Sequence, residues 1–248
     1  MKEKYALLYW SAARGFGNVG DELSKVIVQK LNPSIKSVYE CEYEHQFIAV
    51  GSFASRAVRG DVIWGSGLHD GTETTDFSGV NITLVRGPLT AEILRRTSDD
   101  VPTVYGDPAL LMPKFYSPPT TKRHKYGIVA QVHHVYQLQQ FVDDLDSDDY
   151  LFLSPHLHYE EFIEKLVSCE RVISTSLHGL ILADAYQVPN SYFFFRPIPE
   201  GEFKFRDYFA SQDREFRHIT VLKEAIEECH VGRKINPDTI LHTFPVLS

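Results

Sequence analysis

Short apolar runs alternate with segments of helical period along this 248-residue chain. That alternation points to one broad class of fold, a mostly parallel sheet with helices packed on it. Strands are expected at residues 5–10 and 46–50, within 61–67, where an apolar core and terminal glycines read as a buried strand opening into a tight turn, and at 80–85. The first is followed by a glycine-rich loop and a helix carrying Leu23, Val26, Ile27 and Leu31, which Pro33 ends. The last feeds a helix over 86–96, with Pro88 suited to its first turn. Near the midpoint, residues 113–125 hold Pro113, Pro118, Pro119, Lys122, Arg123 and Lys125, a linker composition. The alternation then restarts, with strands expected at 126–132, 150–153, 171–175 and 191–195 and helices at 136–145, 159–167 and 177–186.

Two doubly wound α/β domains follow from this pattern, residues 1–115 and 124–248. Sheets of that kind bind ligands outside the carboxyl ends of their strands, so a cleft shared by the two is the place to look for function. Composition narrows the class further. Hydrophobic residues make up 43% and charged residues 23%, which excludes a disordered or collagen-like chain. A net charge of −8 opposes nucleic acid, so an anionic ligand needs a local cationic pocket. Cys41, Cys169 and Cys229 are few and widely spaced, as expected of a reducing compartment. The opening residues turn polar too soon for a signal peptide and no apolar stretch is long enough to span a bilayer, so the expected location is the cytoplasm.

Three loops after strands carry polar groups suited to chemistry. The first, Gly15-Phe16-Gly17-Asn18-Val19-Gly20-Asp21, allows close backbone approach before a helix start and could hold a phosphate, a carboxylate or a sugar hydroxyl. It lacks the downstream acidic residue of a dinucleotide site. Asp21 either caps the helix or serves the ligand. The second loop places Arg86 at the end of a buried strand, where its fork suits a carboxylate or phosphate. Few structural roles need an Arg there, and a surface salt bridge is the alternative. The third, Ser174-Thr175-Ser176-Leu177-His178-Gly179, gathers hydroxyls and a His at a helix N-terminus, an anion site with a proton donor. His133 follows another strand and is a further ligand-binding candidate. The pairs His133-His134 and His156, His158 lack metal-ligand spacing, so no metal is expected.

The blocks Gly17-Asn18-Val19-Gly20-Asp21-Glu22, Ile63-Trp64-Gly65-Ser66-Gly67, Val85-Arg86-Gly87-Pro88, Gly106-Asp107-Pro108-Ala109 and Ser174-Thr175-Ser176-Leu177-His178-Gly179 occur in an order that resembles the polysaccharide pyruvyl transferase family, its exopolysaccharide ketal-forming branch. The resemblance implies two Rossmann-like halves in a GT-B-like arrangement, the first on the acceptor side and the second on the donor phosphate side. It implies a transferase that moves the pyruvyl group of phosphoenolpyruvate onto two hydroxyls of a sugar, with no cofactor. The acceptor would belong to a surface polysaccharide or its lipid-linked precursor, which brings peripheral association with the inner face of the membrane into view, along with a homo-oligomer. His178, Arg86 and Asp21 take the catalytic places. Asn18, Gly20, Gly67, Ser174, Ser176, Leu177, Gly179, His133, Lys204 and Arg206 take the substrate-binding ones. Where many relatives carry Arg two positions before the motif His, this chain has Ser176, so Arg196, Lys204 or Arg206 would have to supply that charge. Two rival readings are a GT-B glycosyltransferase using a nucleotide sugar, because fold does not fix function, and a non-catalytic saccharide-binding protein.

Overall fold

The computed structural model describes residues 2–8, 17–199 and 201–247. It holds two four-stranded, wholly parallel sheets. The first runs β1 (Glu3–Leu8), β2 (Tyr43–Ile48), β3 (Val62–Trp64), β4 (Asn81–Leu84) in spatial order 1-2-3-4. Single parallel bridges, Leu7 to Ser37 and Val85 to Tyr105, extend its two edges. The chain thus leaves β1, returns beside it at Ser37, and crosses to its other edge as β2. The second sheet, β5 (His124–Val129), β6 (Tyr150–Leu153), β7 (Cys169–Ser174) and β8 (Asn190–Tyr192), has the order 6-5-7-8 and reverses around β5 in the same way. Such a reversal opens a crevice at the carboxyl ends of the strands beside it, which makes each half a Rossmann-like unit with a ligand-ready edge.

The helices are α1 (Val19–Leu31), α2 (Pro88–Leu94), α3 (Met112–Phe115), α4 (Val135–Asp143), α5 (Tyr159–Val167), α6 (Leu177–Ala185), α7 (Phe203–Ser211), α8 (Leu222–Glu227) and α9 (Pro237–Leu241). In α1, Leu23, Ile27 and Val28 form the buried stripe. In α5 the stripe is Phe162, Ile163, Leu166 and Val167, with Glu160 and Glu161 in the first turn and Lys165 in the last, complementing the helix dipole. Helix α6 is buried along almost its whole length, residues Leu177 through Asp184, as an apolar run without a polar stripe requires.

Alternate side chains of each strand enter different cores, because both sheet faces are covered. Leu7, Phe47, Val62 and Trp64 from the first sheet, and Val129 and Val172 from the second, share one core with α1, α5 and α6. Leu8, Ile48, Ile63 and Ile82 pack outward with α2, and Ile128 and Ile173 pack outward with α4 and α8. The two sheets therefore meet across a common apolar layer.

Several boundaries differ from the sequence expectation. Within residues 61–67, by contrast, Val62–Trp64 pair as strand and Gly65 at φ +88° turns the chain, as the terminal glycines led one to expect. The end of the first expected strand, residues 9 and 10, lies outside the described residues. Pro113 and Lys114 sit in α3. The connection after them is tacked down, with Lys122 donating to the carbonyls of Val167 and Cys169 and Tyr186 donating to that of Tyr116. After β8 the chain packs on both halves: α8 lies against the second sheet, while other segments return to the first. Helix α7 reaches α2, and the tail returns to the first sheet, where Trp64 donates to Thr243 and the Phe244 ring meets Trp64 edge-on at 4.9 Å. No helix among the described residues is long and apolar enough to cross a membrane.

Candidate functional site

The start of α1 supplies the first group of polar residues. Asn18 is the N-cap; its Oδ1 accepts from the Gly20 amide and its Nδ2 donates to Asp21 Oδ2 at 3.2 Å. Asn18 thus performs the capping that the sequence left open for Asp21, and Asp21 is held in the first turn as a shaped acceptor. Burial pushes the Asp21 carboxyl up to about 6, against the opposing pull of the nearby His178 charge, the Asn18 hydrogen bond and Lys204. A carboxyl in that range holds or releases a proton near neutral pH.

His178 comes from the other half of the molecule. Its helix α6 begins at the carboxyl end of β7, with Ser176 as an N-cap that makes no side-chain hydrogen bond. Below it Ser174 ties the turn, its Oγ accepting from the Ser176 amide and donating to the Ser176 carbonyl. The imidazole lies against Gly20: a Cβ added there would sit 2.2 Å from Nδ1. Gly20 therefore makes room for His178 rather than for a ligand. Gly20→Ala is expected to displace the ring and to cut turnover roughly 100-fold, the scale of an ångström's misplacement at a reacting centre. Steady-state kinetics together with an unchanged far-UV spectrum would check it.

Two further side chains complete the cluster. Asp107, fully buried, stands at the turn that leads from the first sheet's edge into a short 3-10 helix, Pro108–Leu111. Its Oδ1 accepts from the Ala109 amide, and its Oδ2 lies 3.8 Å from His178 Nε2. Among the described residues neither Oδ2 nor Nε2 has a hydrogen-bond partner. Lys204 on α7 is buried and close enough to Asp21 to favour its ionised form. One carboxyl that titrates near pH 6, one imidazole at a helix N-terminus and one buried ammonium can move protons and neutralise an anion together.

The other expected residues fall elsewhere. Arg86 is completely buried. Its Nε pairs with Asp207 at 3.2 Å, and its two terminal nitrogens donate to Ser52 Oγ and the Leu68 carbonyl. The fork expected for a ligand is thus filled by protein, and the guanidinium occupies the space that a Cβ on Gly67 would need. On Gly179 a Cβ would meet Ser174 Oγ and Val129. Leu177 is buried in the shared core. His133 is exposed at the carboxyl end of β5. Arg206 is exposed beside Glu202 and over the Phe216 ring. His156 accounts for part of the histidine richness: its Nδ1 lies 2.6 Å from the Gly17 carbonyl and pins the approach to α1. Among the described residues no group of three or more His, Cys, Asp and Glu is arranged to hold a metal.

Sequence reasoning gave no role to Asp107, Asp184 or Asp207. Asp184 binds Asn190, the Tyr208 hydroxyl, the Gly232 amide and Arg214, a hub that fastens α7 and the tail to α6. An Asp within an apolar helical run was the available signal, since a buried carboxylate must be paired.

The family model for polysaccharide pyruvyl transferase matches residues 18–193, well over half of the chain. The chain belongs to the polysaccharide pyruvyl transferase family. The match begins at Asn18 and spans Asp21, Asp107 and His178, so these members of the cluster fall inside the family region, while Lys204 lies beyond it. An uncharacterised protein of Acanthamoeba polyphaga mimivirus is 26% identical over 83% of this chain and 76% of its own length. The succinoglycan biosynthesis protein ExoV of Rhizobium meliloti is 29% identical over 73% of this chain and 57% of its own. Among solved structures, a functionally uncharacterised protein from Klebsiella pneumoniae shares the fold, with a TM-score of 0.53 over 89% of this chain and 94% of its own at 12% identity.

Proposed function

We propose that this chain transfers the pyruvyl group of phosphoenolpyruvate to two hydroxyls of a sugar in a surface polysaccharide or its lipid-linked precursor, in a GT-B-like cleft at the carboxyl ends of the two sheets. What carries the reading, beside family membership, is the meeting of Asp21, His178 and Lys204 at the helix starts that follow β1 and β7. In the reaction a proton goes to C3 of the donor and makes C2 electrophilic. One sugar hydroxyl bonds to C2 and loses its proton; the second hydroxyl then replaces the phosphate at C2 and loses its own. Of the two protons released, one balances that taken up by C3 and the other leaves with phosphate.

Each step asks for a group that the cluster contains. His178 is suited to giving a proton, Asp21 to accepting one from a hydroxyl, and Asn18 to holding the acceptor. Lys204, with the amides at the start of α6, neutralises the donor's phosphate and takes over the charge that Ser176 does not supply. The observation favouring Lys204 over Arg206 for that task is burial beside Asp21 against exposure at the surface.

Incubation with phosphoenolpyruvate and a panel of galactose-, mannose- and N-acetylhexosamine-bearing acceptors tests the reading by phosphate release and by the mass gain of a ketal. A thermal shift with phosphoenolpyruvate, about 2.7 kcal/mol at 100 times its dissociation constant, is the expected companion result. Stabilisation by UDP without stabilisation by phosphoenolpyruvate would replace it with a nucleotide-sugar glycosyltransferase.

A further inference from the structure

We infer that Asp107 is a positioning residue for His178, accepting the imidazole Nε2–H so that Nδ1, on the Gly20 side, is the nitrogen that exchanges protons in the cleft. The inference rests on the reading of His178 as an acid–base group, and it adds a residue to which that reading gave no task. Its ground is a coincidence of two unmet needs. Asp107 Oδ2 and His178 Nε2 are both buried, both without a hydrogen-bond partner among the described residues, and 3.8 Å apart. A buried polar atom left unpaired is costly, and two that face each other resolve that cost by closing the gap. Catalytic hydrogen bonds are commonly long before substrate binds and tighten in the complex.

Both sides of the pair are braced. Asp107 cannot swing freely, because Oδ1 accepts from the Ala109 amide at 2.9 Å and the following Pro108 begins the 3-10 helix. The imidazole is backed by Gly20, whose missing Cβ leaves the space its Nδ1 edge occupies. A carboxylate on one ring nitrogen selects the tautomer that carries hydrogen there and leaves the opposite nitrogen open to the reaction. Asp107 comes from the first half of the chain and His178 from the second, so the proton-transfer geometry depends on the two halves being docked.

Asp107→Asn tests this, because the Asn carbonyl retains the cap on Ala109 while its amide faces His178 Nε2 as a donor. In protein carrying nitrogen-15 histidine, two-bond proton–nitrogen spectra at pH 8 should show His178 with hydrogen on Nε2 in the wild type and on Nδ1 in Asp107→Asn. With phosphoenolpyruvate and an active acceptor, the variant should lose kcat by about 100- to 10,000-fold while KM for the donor stays within a few-fold. A wild-type His178 with hydrogen on Nδ1 overturns the inference whatever the variant does, and so does a variant that folds and keeps either the wild-type tautomer or the wild-type kcat. Absence of transfer by the wild type itself would count against the pyruvyl reading alone, since the tautomer spectra still decide the role of Asp107.

Discussion

Asp21→Asn is expected to lose about 100- to 10,000-fold in phosphate release and yet to unfold at a higher temperature than the wild type at pH 8. The two effects share one cause. Burial lifts the Asp21 carboxyl from its ordinary 3.8 to about 6, so the folded state binds this proton more tightly than the unfolded chain does. For a raised carboxyl the stability it lends is fully present below about pH 4 and is lost as pH rises through about 6. Above that, the charged group opposes folding. Asn keeps an oxygen for the Asn18 amide at the same place and removes the charge. Thermal denaturation at pH 5 and pH 8 should therefore show the gain from the substitution growing with pH, by on the order of 1 kcal/mol or more at the upper end. Near-normal turnover, or a loss of stability at both pH values, would remove Asp21 from the reaction and make it a plain helix residue. A gain in stability with a loss of activity is the mark of a group kept for function.

The α/β alternation was legible because it depends on local pattern. Strand Tyr150–Leu153 and helix Tyr159–Val167 fall where the sequence puts them, since each has a clear period and turn residues on both sides. The C-terminal helices α7, α8 and α9 were not legible. They are nine, six and five residues long, and their buried faces are set by contacts with elements far away in the chain. Among the site residues, His178 and Asp21 could be singled out because each stands in the first turn of a helix that follows a strand in the chain, a place fixed by topology. The glycines told less than they promised. Gly20, Gly67 and Gly179 do mark close approach, but the approaching atoms belong to His178, Arg86 and Ser174. A lone sequence cannot distinguish room made for a ligand from room made for a neighbour. Asp107 caps the 3-10 helix that Pro108 begins, yet nothing local in the sequence shows that its second oxygen faces His178.

Arg86 shows the same limit most sharply, and its substitution is expected to have a large effect on stability. From sequence, Arg86→Ala should abolish turnover and spare the fold, because few structural roles call for an Arg at the end of a buried strand. The structure supplies such a role 121 residues away. Asp207 of α7 accepts from Arg86 Nε through Oδ2, from the Thr90 hydroxyl through the same oxygen, and from the Thr90 amide through Oδ1. It thereby caps α2 from outside and clamps the two halves together where Gly87 lets the Asp207 backbone pass. Both partners are fully buried. Removing one leaves a charge with no counterpart, along with unpaired groups at Ser52 and Leu68, which costs about 3–5 kcal/mol. For a chain of this size that is a fall of roughly 6–20 °C in Tm. Asp207→Ala should cost about as much, and the double variant less than the two added, because it leaves no lone charge. If Arg86→Ala melted like the wild type while phosphate release vanished, the guanidinium would be a donor ligand after all. Because α7 carries both Asp207 and Lys204, loosening this clamp should also weaken donor binding through Lys204, and KM should rise in Asp207→Asn before the fold is lost.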